Sequence, residues 1–327
     1  MNVLPRFILT GAAVATGMVL LTLLCLSVGA VPVSVGQAFQ AVWQDNGPHA
    51  HLVQELRLPR ALLAWPVGAA LAVAGALIQG VLRNPLAAPD VIGITAGAGL
   101  AAAFVVLVLG VVPLWAVPTA AFVGGLLAAL LVHGLAWRGG VSPMHLALVG
   151  VAATQLFAAG IQFLSTAHAD NVAQAVIWLR GSLWGRTWDQ LWLALPLLPM
   201  LLPAFALGQQ LNLLALGDDV ATAMGVRVGR VRLLALLLAV LIASAAVAVV
   251  GTVAFVGLVS PHLARLLVGG DYRRLMPMAA LLGGGLLLLA DTLGRGLLPP
   301  IEVPAGVMTA LLGAPYFLYL MSRYRRW

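Results

Sequence analysis

The chain has 327 residues, of which 62% are hydrophobic and only 8% charged, with a formal net charge of +7. Soluble domains carry about 25% charged residues, so a water-soluble globule is excluded, and the positive excess reads as juxtamembrane arginine rather than a nucleic-acid surface. All 17 basic residues are arginine; without lysine there is no GxxxxGK[ST] phosphate loop and no Schiff-base nucleophile.

A bilayer core about 30 Å thick takes about 20 apolar residues per helix, and runs of that size recur along the chain. The alternating segments of about ten residues that mark a β-barrel do not appear. The class is an all-α polytopic membrane protein. Ten spans are expected at 7–29, 61–82, 92–111, 115–136, 143–165, 190–208, 231–250, 256–268, 275–296 and 305–322. The first run exceeds the roughly 7–15 apolar residues of a signal peptide, so it reads as an uncleaved span. It holds the sole cysteine, Cys25, which rules out a disulfide within the chain. Spans two and three are rich in Gly and Ala, with Gly93 and Gly97 four apart, as expected for close helix packing in lipid.

Ten spans put both ends of the chain on one side. Arg57, Arg60, Arg180, Arg186 and Arg295 fall on the other side, and the remaining twelve arginines lie with the termini. The positive-inside rule then makes the termini cytoplasmic. The break RNPLAAPD at 83–90 becomes a cytoplasmic turn, stopped by Pro85 and Pro89. Residues 30–60 and 166–189 are the longer external segments. In the second, Trp184, Trp188 and Trp192 recur every four residues beside Trp178, as on a short interfacial helix entering span six.

Enzyme chemistry has little to stand on. HExxH, CxxC, GxSxG and paired carboxylates on a helix face are absent. His49 and His51 read as a solvated loop pair, and no metal site is expected. Gly97-Ala98-Gly99-Leu100-Ala101-Ala102 matches a dinucleotide fingerprint, but no strand precedes it. Asp291 and Arg295, four apart on span nine, read as a local ion pair. One cytoplasmic loop stands out, LNLLALGDDVATAMGVRVGR at 211–230. Asp218 and Asp219 open a short amphipathic stretch and Gly225 ends it. Too short to be stable alone, it makes sense docked, either on its own bundle or on a cytoplasmic partner.

The stretch LRLPRALLAWPVGAALAVAGALIQGVLRNPLAAPDVIGITAGAG resembles the start of the permease family of iron–siderophore and cobalamin ABC importers. FVGLVSPHLARLLVGGDYRRLMP and LLLLADTLGRGL…PPIEVPAGVMTALLGAPYFLYL resemble its C-terminal half. NVAQAVIWLRGSLWGRTW and LNLLALGDDVATAMGV look most like the permease subunit for ferric dicitrate. The likeness spans nearly the whole chain.

The resemblance implies a type II ABC importer permease fold, with residues 1–327 forming a single transmembrane domain and a cytoplasmic coupling region at about 209–230. It implies a non-enzymatic transport subunit of a bacterial inner membrane, multi-pass, with both termini cytoplasmic. A second permease subunit, related but different, two copies of a cytoplasmic ATP-binding subunit and a periplasmic substrate-binding protein are the implied partners, besides membrane lipid; nucleic acid is not one. ATP and Mg would sit on the ATPase, and this chain would bind no cofactor. By the same likeness Asp218, Asp219, Ala221, Met224 and Gly225 belong to the ATPase-coupling helix. Arg57, Arg60 and Arg295 match positions that receive glutamates of the binding protein, as exposed arginines. Asn84 and Leu86 match one cytoplasmic gate, and Ser142 and Pro143 sit at a second. The implied cargo is a ferric chelate. Cobalamin or haem, an ion-coupled secondary transporter, and a membrane assembly protein without flux remain alternatives.

Overall fold

The computed structural model describes residues 3–44, 47–110, 112–113, 115–136, 143–169 and 172–324. Among them, one isolated bridge between Leu298 and Ile301 is the sole β feature. In chain order come α1 (Val3–Ser27) and α2 (Val35–Trp43), then a π-helical turn at Leu52–Arg57 that runs into α3 (Leu58–Leu82). A 3-10 turn at Pro89–Ile92 precedes α4 (Ile94–Phe104), which ends in a second π-helical turn at Val105–Leu109. Next are α5 (Ala116–Ala136), α6 (Pro143–Ala167), α7 (Val172–Leu179), α8 (Trp188–Ala194) and α9 (Leu197–Ala206). The chain continues with α10 (Gly208–Ala215), α11 (Asp218–Ala223), α12 (Val228–Val250), α13 (Val256–Val268), α14 (Tyr272–Gly296) and α15 (Ala305–Tyr324).

Seven helical stretches are long and apolar enough to cross a bilayer, and Ile94–Leu109, Val256–Val268 and Ala305–Leu320 are shorter apolar helices. Each of the ten expected spans has its helix. The axis of the bundle is α3. It is apolar on every face, so it can only be a core helix, and all but Leu58, Leu62 and Trp65 of its residues are buried. Helices α12, α13 and α14 pack around it, with α8, α9 and α10 closing the remaining side.

Two backbone contacts set how close they come. A Cβ on Gly68 would strike the carbonyl of Gly283 in α14, and one on Gly75 would strike the carbonyl of Gly257 in α13. With lipid supplying no hydrophobic drive between helices, such small-residue crossings supply the van der Waals contact that joins them. Gly97 works in the same way where α4 crosses α5 at Ala128. Gly93 does something else. It stands at φ 77 and forms the left-handed turn between the 3-10 turn and α4, so it shapes the entry to the span rather than its packing.

The sixth span runs as one apolar stretch, Trp188–Ala206, with a turn at Leu195 and Pro196 between α8 and α9, where the proline has no N–H to donate. One expectation is corrected here: the tryptophans do not share a helix face. Trp184 lies in the turn before α8 and is 61% exposed, whereas Trp188 is half-buried and donates its indole N–H to Gln54 O at 3.1 Å. The four-residue spacing crosses a turn, where helical periodicity has no meaning.

Candidate functional site

The charged side chains gather at the two ends of α3, about 37 Å apart at 1.5 Å per residue. At its N-terminal end, Arg60 grips Asp291 of α14 with two N–H groups, Nε to Oδ2 at 2.9 Å and Nη2 to Oδ1 at 2.8 Å. Its Nη1 donates to Glu302 Oε2 at 2.7 Å. Arg295 lies 3.4 Å from Asp291 through Nε and donates to Cys25 O at 3.0 Å. The local pair expected between Asp291 and Arg295 is present, but Arg60 holds the carboxylate more tightly. Arg57 donates to the carbonyls of Leu26 and Val31 at 2.8 and 2.5 Å.

The expected exposure of Arg57, Arg60 and Arg295 is therefore corrected: they are 4%, 6% and 3% exposed. Each is used internally, tying α1, α3 and α14 together. A cavity of about 310 Å³ opens beside them, lined by Arg57, Arg60, Arg186, Arg295, Glu302 and Trp184 among others. Four guanidiniums face two carboxylates in this network, so the recess is positive. Arg186 and Glu302 were not anticipated as members. Glu302 was findable in principle, since it is the lone acid after Asp291 and falls on the arginine-bearing side.

At the opposite end, Asp218 opens α11. Its Oδ1 accepts Nη2 of Arg232 at 2.9 Å and pairs with Arg83, the residue that caps α3. Ala221 is buried against the bundle, and Val226 N–H donates to its carbonyl at 2.9 Å across Gly225 at φ 83. Asp219 is exposed, and Val220 and Met224 are 45% and 59% exposed. The five residues expected to meet a partner differ in exposure: Asp219, Met224 and Gly225 are exposed, Asp218 pairs with the arginines behind it while its side chain stays 44% exposed, and Ala221 is buried.

Beside α10, Asp271 caps α14. Its carboxylate accepts Arg273 N–H at 3.1 Å and Asn212 Nδ2 at 2.6 Å. The Arg273 guanidinium beside it is the main reason its pKa lies at about 2 rather than 3.8. In the turn after α3, Asn84 is exposed and its side chain accepts Leu86 N–H at 2.9 Å. Leu86 packs with Ala88, Leu258 and Val259. Ser142 lies outside the described residues, as does the side chain of Pro143, whose backbone opens α6.

Between the two ends, a cavity of about 480 Å³ is bounded by α4, α6, α7 and α15, with Asp90, Thr95, Arg180 and Thr252 in its wall. Asp90 accepts the Thr95 hydroxyl at 2.6 Å. Among the described residues, no group of three His, Cys, Asp or Glu side chains could hold a metal ion.

The model of the FecCD transport family matches residues 17–323 of this sequence. The chain belongs to that family. Its relatives include the Fe(3+) dicitrate transport system permease protein FecD of Escherichia coli, 45% identical over 304 residues, covering 93% of this chain and 95% of that protein. The Fe(3+)-citrate import system permease protein YfmE of Bacillus subtilis is 42% identical over 306 residues, covering 93% and 92%. A solved structure described as an inward-facing conformation of a metal-chelate type ABC transporter superposes with a TM-score of 0.83 at 31% identity, over 97% of this chain and 99% of that one. As a FecCD family member the protein is a multi-span transport permease, and the architecture described above is that of the family.

Proposed function

We propose that this chain is the permease subunit of an ATP-driven importer that carries a ferric chelate, ferric dicitrate first, across a bacterial inner membrane with both termini in the cytoplasm. The observation that carries the reading is the 42–45% identity to two ferric citrate permeases along 93% of the chain. The absence of lysine from the sequence fits ATP hydrolysis on a separate subunit. The outward residues of α11, Asp219, Val220 and Met224, suit a docking face for that ATPase. The positive recess over Arg57, Arg60, Arg186 and Arg295 suits an acidic surface of a substrate-binding protein, where charge favours encounter and orientation. Asn84 and Leu86, in the turn after α3, would close the cytoplasmic end of the pathway. A second, non-identical permease subunit completes the pathway.

The test is uptake in cells lacking this chain. Accumulation of radiolabelled iron supplied as ferric citrate should fall to background and return on complementation, with cobalamin and haem uptake unchanged. Loss of cobalamin or haem uptake with ferric citrate uptake intact would move the assignment to that cargo. Iron uptake by the purified chain alone, driven by an ion gradient without ATP, would move it to a secondary transporter.

A further inference from the structure

A groove runs between α5, α6 and α12. Its cavity measures about 330 Å³, within the range of about 300–1,000 Å³ that holds small ligands. Leu126 and Leu130 of α5, Leu146 in the first turn of α6, and Leu233 and Leu237 of α12 line it. His133 is the one polar side chain among the described residues of its wall. Water finds too few partners on such a wall, and a void there forfeits the contacts of every side chain around it.

The dimensions of the groove decide what fits. Leu233, Leu237 and Leu241 follow Arg230 by three, seven and eleven residues, so the four share one face of α12. From Leu233 to Leu241 the lining covers about 12 Å at 1.5 Å per residue. That is close to the depth of one leaflet, half of a hydrocarbon core about 30 Å thick. A volume of about 330 Å³ over about 12 Å gives a cross-section of about 28 Å². A helix about 10–12 Å across is several times larger, so what enters is a single extended chain. Leu130, Leu233 and Leu237 are exposed, which leaves the groove open along its side.

One end of the groove carries charge. Two arginines at the start of α12 have different fates. Arg232 is buried and donates to Asp218 Oδ1 at 2.9 Å. Arg230 is exposed and holds no ion pair among the described residues. It stands at the head of the leucine stripe, just before span seven, where a guanidinium attracts an anionic headgroup and matches a phosphate with paired N–H donors.

We propose that this groove is a site for one anionic phospholipid, with an acyl chain along Leu233, Leu237 and Leu241 and its phosphate at Arg230. The groove is given by the fold; its placement in the cytoplasmic leaflet rests on the proposed orientation.

Native mass spectrometry of the purified permease, titrated in detergent with dioleoyl phosphatidylglycerol or dioleoyl phosphatidylcholine, tests it. The parent should retain one phosphatidylglycerol at about fivefold lower concentration than phosphatidylcholine. Arg230→Gln should erase that preference. Leu237→Trp fills the groove from its open side and should cut retention of both lipids by about tenfold. Leu234→Trp, at an exposed position outside the cavity wall, should leave retention unchanged. All three variants should melt with the parent in lipid-free detergent, so that lost lipid is not lost fold. Equal retention of the two lipids by the parent overturns the proposal, as does a preference that persists in Arg230→Gln. Equal losses in Leu237→Trp and Leu234→Trp overturn it too. So does a dimer of this chain that Leu237→Trp dissociates while lipid retention holds, since the groove would then be a protein interface. No arm of the test uses ATP, cargo or orientation, so failure of the importer reading leaves its outcome intact.

Discussion

Arg60 and Asp291 are 231 residues apart in sequence and share two hydrogen bonds of 2.8 and 2.9 Å. The pair pins the N-terminal end of α3 to α14, and Asp291 is only 1% exposed. A buried pair is costly to assemble, yet removing one partner leaves the other charge stranded. Asp291→Ala leaves the buried Arg295 without a carboxylate and Arg60 with Glu302 alone, and should lower stability by about 3–5 kcal/mol. Thermal unfolding in detergent measures it. The triple variant Arg60→Met, Asp291→Leu and Arg295→Met should lose much less, because only the partly exposed Glu302 is then left without its partner.

The crossing of α3 with α13 gives a second prediction. At Gly75 any Cβ collides with backbone, which cannot rotate away as a side chain can. Gly75→Val should force the helices apart and abolish recovery of folded protein, read by size-exclusion monodispersity. Gly229 in α12 has nothing within 4 Å. Gly229→Ala should therefore be neutral or stabilising by up to about 1 kcal/mol, the helix-propensity gain.

The ten spans were legible because apolar length is a property of composition, and the positions of Gly68, Gly75 and Gly97 pointed to close packing. The fate of the arginines was not legible. Arg57 and Arg60 look like surface charges in LRLPR, and only the return of α14 and the 298–304 loop brings Asp291 and Glu302 against them. Asp218 and Asp219 are indistinguishable as adjacent acids at a helix start. Their separation depends on Arg83 and Arg232, which come from two other helices. The turn at Leu195 and Pro196 escaped notice because proline inside a span is often accommodated, as Pro66 is within α3.

Asp271 gives a pH prediction. Its folded value of about 2 lies below the ordinary 3.8. A depressed acid stabilises the fold above its unfolded value and loses that contribution as pH falls through the window from 3.8 to 2. Its main partner Arg273 is 59% exposed, so solvent screening leaves about 1 kcal/mol. Asp271→Asn should melt lower than the parent at pH 6. The gap should close as pH approaches 2 in acid-tolerant detergent, and a gap of constant size would assign the effect to the Asn212 and backbone hydrogen bonds instead.

The recess at the other end of α3 gives a prediction about docking. Arg57, Arg60 and Arg295 are bonded within the bundle, so replacing them would confuse folding with recognition. Arg186 is different. It lines the recess, its Nε has no hydrogen-bond partner among the described residues, and no ion pair holds it there. Arg186→Glu reverses the charge at that position while leaving the Arg60–Asp291 bridge alone. If an acidic binding protein seats over the recess, its affinity for the permease complex should fall by about tenfold at low salt, mostly through slower association. Raising the salt to about 1 M, where the Debye length is near 3 Å, should narrow the difference. Surface-captured complex titrated with the binding protein at two ionic strengths reads both effects, and the melting temperature of the variant should stay that of the parent.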